Sequence, residues 1–66
     1  MKNTLKIERA ILNITQDELA LKIGVSRQTI NSIETQRYIP STVLALKISA
    51  VFKKPVNEIF ILDEHD

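Results

Sequence analysis

Apolar residues recur at helical spacing along most of the chain. The period of three to four residues predicts four helices, at about 3–12, 16–23, 27–36 and 41–52. A final short turn is predicted from Pro55. In the two middle helices the inward positions are Leu19, Ala20, Ile23, Ile30 and Ile33. With one Gly and two Pro in 66 residues, the chain has almost no hairpin-forming sequence. The pattern therefore predicts an all-α bundle.

The two middle helices begin in the same way and are joined by a very short turn. Thr15 and Glu18 have the spacing of a capping box, and Ser26 is an equivalent N-cap without the acid. Gly24 stands where a left-handed residue ends a helix. Only Gly24, Val25 and Ser26 separate the two helices, which is the spacing of a helix-turn-helix.

The apolar run Ile59–Leu62 shows no helical alternation. It is compatible with a short strand or with a dimer contact. An extended segment here could pair with residues near Met1–Thr4.

The composition excludes several classes of protein. The chain has no Cys, which excludes a disulfide framework and a zinc-thiolate site, and its apolar runs are too short for a membrane span. We expect one cytoplasmic domain over residues 1–66. Because so short a chain buries a small core, we also expect a homodimer.

Charge is distributed unevenly along the chain. Residues 1–57 hold all nine Lys and Arg and four acids, a net +5, whereas residues 58–66 hold four acids and no Lys or Arg, a net −4. A basic body suits an anionic partner such as nucleic acid.

The helix predicted at 27–36 has a polar outer face made by Arg27, Gln28, Asn31 and Ser32. Arg can contact guanine O6 and N7, and Gln or Asn can contact adenine N6 and N7. An ordinary solvated face is the alternative interpretation. Position after a three-residue turn favours DNA, because that arrangement lets the second helix enter a major groove.

The segments Gln16–Ala20, Ile23–Glu34 and Tyr38–Ser41 together resemble the phage repressor and Cro type (XRE-like) of helix-turn-helix transcriptional regulators, in particular the short single-domain bacterial members. The resemblance implies a five-helix lambda-repressor-like DNA-binding domain with its motif at about 16–35.

The resemblance also implies roles for individual residues. Base contacts are expected from Arg27, Gln28, Asn31 and Ser32. Phosphate contacts are expected from Gln16, Ser26, Thr29, Arg37 and Tyr38. Ser26 has helix capping as its main expected role, and half-buried packing is the alternative for Tyr38. Arg9 and Glu34 resemble the family's internal ion pair.

Two departures from the family pattern stand out. Glu8 occupies a position that is commonly apolar, and Ile7 and Ile11 are more apolar than usual, so the first helix is either rotated or uses its outer face for a contact. Thr35 and Gln36 replace the Gly-containing turn that frequently follows the second helix of the motif.

No catalytic or metal-binding set is evident. His65 is the only His and lies in an acidic tail, so neither a catalytic triad nor a metal site can be assembled around it. We expect no enzyme activity, no cofactor and no small-molecule ligand.

The sequence thus favours a homodimeric repressor that binds double-stranded DNA at a palindromic operator through the major groove. The dimer interface is expected at the C-terminal apolar residues Phe52, Ile59, Phe60, Ile61 and Leu62, with burial in the chain's own core as the alternative. A second hypothesis is a protein-interaction module, such as an antitoxin-like partner protein, with secondary DNA binding.

Overall fold

The computed structural model describes all residues 1–66 and contains five helices and two very short strands. In chain order these are β1 (Lys2–Asn3), α1 (Leu5–Leu12), α2 (Gln16–Ile23), α3 (Arg27–Glu34), α4 (Thr42–Phe52), α5 (Val56–Ile59) and β2 (Phe60–Ile61). The strands pair antiparallel, with Lys2 opposite Ile61 and Asn3 opposite Phe60. The predicted five-helix fold is confirmed. Within the C-terminal apolar run, Phe60 and Ile61 form the strand that pairs with the N-terminus, whereas Ile59 ends α5.

Local hydrogen bonds explain where the helices begin. The Thr15 hydroxyl accepts from the Glu18 N–H at 3.0 Å, and the Glu18 carboxylate accepts from the Thr15 N–H at 2.9 Å, which completes the capping box. Ser26 caps α3 by accepting from the Thr29 N–H. Gly24 ends α2 with φ +74°, so α2 and α3 are separated by the predicted three-residue turn.

Two helix boundaries differ by two residues from the sequence prediction. Helix α1 begins at Leu5 rather than at residue 3, because Lys2 and Asn3 are paired in the ribbon. Helix α3 ends at Glu34, and Gln36 takes the left-handed conformation at φ 64° that a Gly commonly provides. The Ser32 carbonyl then accepts from two main-chain N–H groups beyond the helix.

The core draws on all five helices and on β2. Its buried apolar members are Leu5, Leu19, Ala20, Ile23, Ile30, Ile33, Leu44, Ile48, Phe52, Ile59 and Phe60. Three of the five side chains expected at a dimer interface, Phe52, Ile59 and Phe60, are thus buried within the chain's own core. Ile61 and Leu62 are exposed, at 45% and 76%. No helix has both the length and the apolar character needed to cross a membrane.

Helix α1 buries an acidic side chain and exposes apolar ones. Glu8 is buried and accepts a hydrogen bond from Lys54 Nζ at 2.9 Å. Ile7 and Ile11, one turn apart, are 61% and 67% exposed. The helix therefore directs Glu8 inward and keeps an apolar outer face.

Candidate nucleic-acid interface

The outward face of α3 carries the side chains expected to contact bases. Arg27, Gln28 and Asn31 are exposed, and Ser32 is half-buried. Ile30 and Ile33 anchor the opposite face of the helix in the core. Burial of two branched residues on one side fixes the rotation of α3, and the polar side chains project away from the body.

These side chains share one surface groove. It is lined by Arg27, Gln28, Asn31, Ser32 and Arg37, with no apolar residue among them. Arg37 follows α3 and reaches the same groove because the chain turns back at Gln36. The structure therefore brings together the four candidate base contacts and one candidate phosphate contact.

Ser26 and Thr29 are both engaged at the start of α3. The Ser26 hydroxyl accepts from the Thr29 N–H at 3.2 Å, and the two hydroxyl groups are hydrogen-bonded at 3.0 Å. Capping is thus an observed role of Ser26. Since a hydroxyl both donates and accepts, the pair keeps hydrogen-bonding capacity for a phosphate.

A second depression lies between α3 and α4, beside Gln28. Tyr38 is 45% exposed and lines it, together with Ser41 and Lys47. Lys47 was not singled out from the sequence, because a Lys on a surface helix gives no signal of its own. Its proximity to Gln28 depends on how α4 packs, which only the fold supplies.

The ion pair between α1 and α3 is bidentate. Arg9 Nε donates to Glu34 Oε2 at 2.6 Å, and a terminal nitrogen donates to Oε1 at 3.0 Å. Another Arg9 nitrogen donates to the Ile14 carbonyl at 3.1 Å. The hydrogen bonds to Glu34 raise the pKa of Arg9 above its ordinary value, although partial burial acts in the opposite direction. This pair holds α1 against α3.

Gln16 extends this ion pair towards the outward face of α3. Its Nε2 donates to Glu34 Oε1 at 3.1 Å and to Asn31 Oδ1 at 3.3 Å. Both amide hydrogens are therefore engaged within the protein. The phosphate contact expected of Gln16 stays a prediction, since its side-chain amide is bonded to Glu34 and Asn31 in the free protein. Spacing alone did not indicate the contact with Asn31, since it depends on how α2 packs on α3.

The acidic tail forms hydrogen bonds within itself. The Asp66 carboxylate accepts from the Asp63 N–H at 2.9 Å, and this bond lowers the pKa of Asp66. No group of three or more His, Cys, Asp or Glu side chains is arranged to hold a metal ion.

Comparisons with known proteins agree with this geometry. A family model described as Helix-turn-helix (HTH_3) matches residues 5–59. The chain is 50% identical over 66 residues to an uncharacterised HTH-type transcriptional regulator of Methanocaldococcus jannaschii, with 100% of both chains covered. An uncharacterised HTH-type transcriptional regulator of Archaeoglobus fulgidus is 46% identical, with 100% of this chain and 93% of the relative covered.

Similarity extends to a bacterial protein. The chain is 41% identical to the uncharacterised HTH-type transcriptional regulator YgzD of Bacillus subtilis, again with 100% of both chains covered. The family-model match over residues 5–59 includes the capping box, the three-residue turn and the polar face of α3. The chain therefore belongs to the XRE-type (HTH_3) helix-turn-helix family of transcriptional regulators.

Proposed function

We propose that the protein is a sequence-specific repressor that binds a palindromic operator as a homodimer, with α3 in the major groove. Binding over a promoter would block transcription by occlusion. In a two-fold symmetric complex the two copies of α3 enter successive major grooves, about 34–36 Å apart.

The wholly polar groove on α3 carries this proposal. Arg27, Gln28 and Asn31 are exposed on one face, and each can form bidentate or directional hydrogen bonds with base edges. Arg37 adds a cation beside them that suits a phosphate. An apolar or Glu-rich face would instead have suited a protein partner.

Fewer C-terminal apolar side chains are available for a dimer contact than the sequence suggested. Because Phe52, Ile59 and Phe60 pack inside the chain, Ile61 and Leu62 are the C-terminal apolar side chains left for a second copy. Ile61 lies opposite Lys2 at the end of the β1–β2 ribbon, and Leu62 follows it directly. We propose this ribbon end as the dimer contact.

Selection of bound duplexes from a random DNA pool tests the proposal. We expect enrichment of a short inverted repeat with half-sites about one helical turn apart, and a complex of two chains per duplex by light scattering. The Gln28→Ala variant should bind with relaxed preference at one position of each half-site. An enriched site without inverted symmetry, bound by one chain, would contradict the homodimer, and no enrichment would contradict sequence-specific binding.

The exposed face of α1 favours the second candidate function, a protein-interaction module. Ile7 and Ile11 present adjacent apolar side chains that the chain's own core does not cover. The two functions make different predictions for Ile11→Lys. A DNA-binding repressor should keep its operator affinity in this variant, whereas a partner-binding module should lose its partner and leave DNA binding secondary.

A further inference from the structure

A series of hydrogen bonds with fixed donor and acceptor roles runs from α1 to the outward face of α3. Its members are Arg9, Glu34, Gln16 and Asn31, and we refer to them as the relay. A guanidinium can only donate, and an ionised carboxylate can only accept. The first link of the relay therefore has a single possible direction.

The carboxylate of Glu34 then fixes the orientation of the Gln16 amide. The Gln16 side chain meets Glu34 Oε1 at 3.1 Å and must present its NH₂ group there, because its carbonyl oxygen would repel the carboxylate. The second hydrogen of the same NH₂ group points to Asn31 at 3.3 Å. Asn31 must accept this hydrogen bond with its carbonyl oxygen, because an NH₂ group cannot act as the acceptor for another NH₂ group.

This orientation limits what Asn31 can do at a base. A bidentate contact with adenine needs the Asn oxygen to accept from N6 and the Asn NH₂ group to donate to N7. Oδ1 is turned towards Gln16, and Nδ2 is the polar atom of Asn31 that has no hydrogen-bond partner within the protein and is available to a base. In the major groove guanine offers two acceptors, O6 and N7, to a side chain that only donates. Adenine offers one acceptor, N7, beside the N6 amino group, which is itself a donor.

We infer that Gln16 positions Asn31 as a hydrogen-bond donor, so that Asn31 selects guanine over adenine at the base it contacts. The inference rests on the proposed entry of α3 into the major groove. Gln16 acts here as a positioning residue for specificity, separate from any phosphate contact made by the main chain at the start of α2.

The test uses the full-length protein and a selected duplex, at the position where Asn31→Ala loses preference. The wild-type protein should favour guanine at that position. In a duplex that has adenine there, its affinity should not change when adenine is replaced by unsubstituted purine, which lacks the N6 amino group. Gln16→Met frees the Asn31 amide to turn. Preference should then move towards adenine, and loss of N6 should weaken binding about fivefold or more, the effect of one good bidentate contact.

Two controls separate positioning from a direct contact. The double variant Gln16→Met/Asn31→Ala should have the same base preference as Asn31→Ala, because Gln16 acts through Asn31. Gln36→Met makes the same chemical change at an exposed position outside the relay and should leave the preference unchanged. A uniform loss of affinity in Gln16→Met with the guanine preference intact would overturn the inference. So would a wild-type preference for adenine that depends on N6.

The free protein tests the orientation without DNA. In ¹H–¹⁵N spectra, the Gln16 side-chain NH₂ protons should exchange with solvent more slowly than those of Gln36, and the Asn31 amide should become more mobile in Gln16→Met. Equal exchange for Gln16 and Gln36 would overturn the relay. Failure to enrich any duplex, with the Gln16 protons still protected, would instead count against the proposed function and against base selection while leaving the relay's geometry standing.

Discussion

Replacing Arg9 by Met is the most informative test of how α3 is held in place. The substitution removes the guanidinium from a Glu34 side chain that is only 6% exposed. Glu34 would lose both bonds from Arg9 and keep one donor, Gln16 Nε2, at 3.1 Å. Breaking one side of a buried ion pair costs about 3–5 kcal/mol, because the remaining charge stays poorly solvated.

The lower end of that range applies here. Arg9 is itself 15% exposed, which admits some water, and Gln16 continues to solvate the carboxylate. We therefore expect a loss of about 3 kcal/mol in the free energy of unfolding. A single core of this size supplies about 3–5 kcal/mol in total, so the variant should be marginally folded at 25 °C.

Urea denaturation followed by circular dichroism at 222 nm measures the effect. The matched control is the double variant Arg9→Met/Glu34→Met, which replaces the pair by apolar side chains and leaves no unpaired charge. We expect it to recover most of the lost stability, since apolar replacement of buried ion pairs is often neutral or stabilising. A loss below about 1 kcal/mol in the single variant, or a double variant as unstable as the single one, would refute the reasoning.

Three further predictions concern the interface, the dimer contact and the turn. Gln28→Ala should reduce discrimination at one base position by about 1–3 kcal/mol. Arg37→Ala should instead lower the affinity for all duplexes alike and reduce the slope of log K against log salt by about one, measured by titrations at several salt concentrations. Ile61→Lys should abolish dimers in light scattering while circular dichroism stays native, and an unchanged dimer would remove the proposed contact. Gly24→Ala should destabilise the fold by about 1 kcal/mol or more, because Ala is strained at the φ of +74° that Gly24 adopts. A Cβ there would meet no atom within 4 Å, so the backbone conformation is the only source of the loss. Unchanged thermal stability would contradict this prediction.

Much of the motif could be predicted because its determinants are local. The capping box at Thr15 and the left-handed Gly24 act over three or four residues, and they place α2 and the turn at their observed positions. The apolar spacing of Ile30 and Ile33 similarly fixes which face of α3 is outward. These signals need no knowledge of the rest of the fold.

The features that the sequence left open depend on contacts between distant residues. Glu8 is buried because Lys54, 46 residues later, reaches it from beyond α4. In the apolar run from Ile59, the end of α5 buries Ile59, and the pairing of Phe60 with Asn3 and of Ile61 with Lys2 leaves Phe60 in the core and Ile61 outside it. Periodicity cannot separate these outcomes in four consecutive apolar residues.

Sequence-specific binding through α3 is the central claim, and one titration tests it most directly. Fluorescence anisotropy would compare the selected duplex with a shuffled duplex of the same composition, at several salt concentrations. We predict binding to the selected duplex about 10³-fold tighter or more, with both affinities falling as salt rises because both complexes release counterions. Equal affinities for the two duplexes, both disappearing as salt is added, would reveal only a basic surface and contradict the claim.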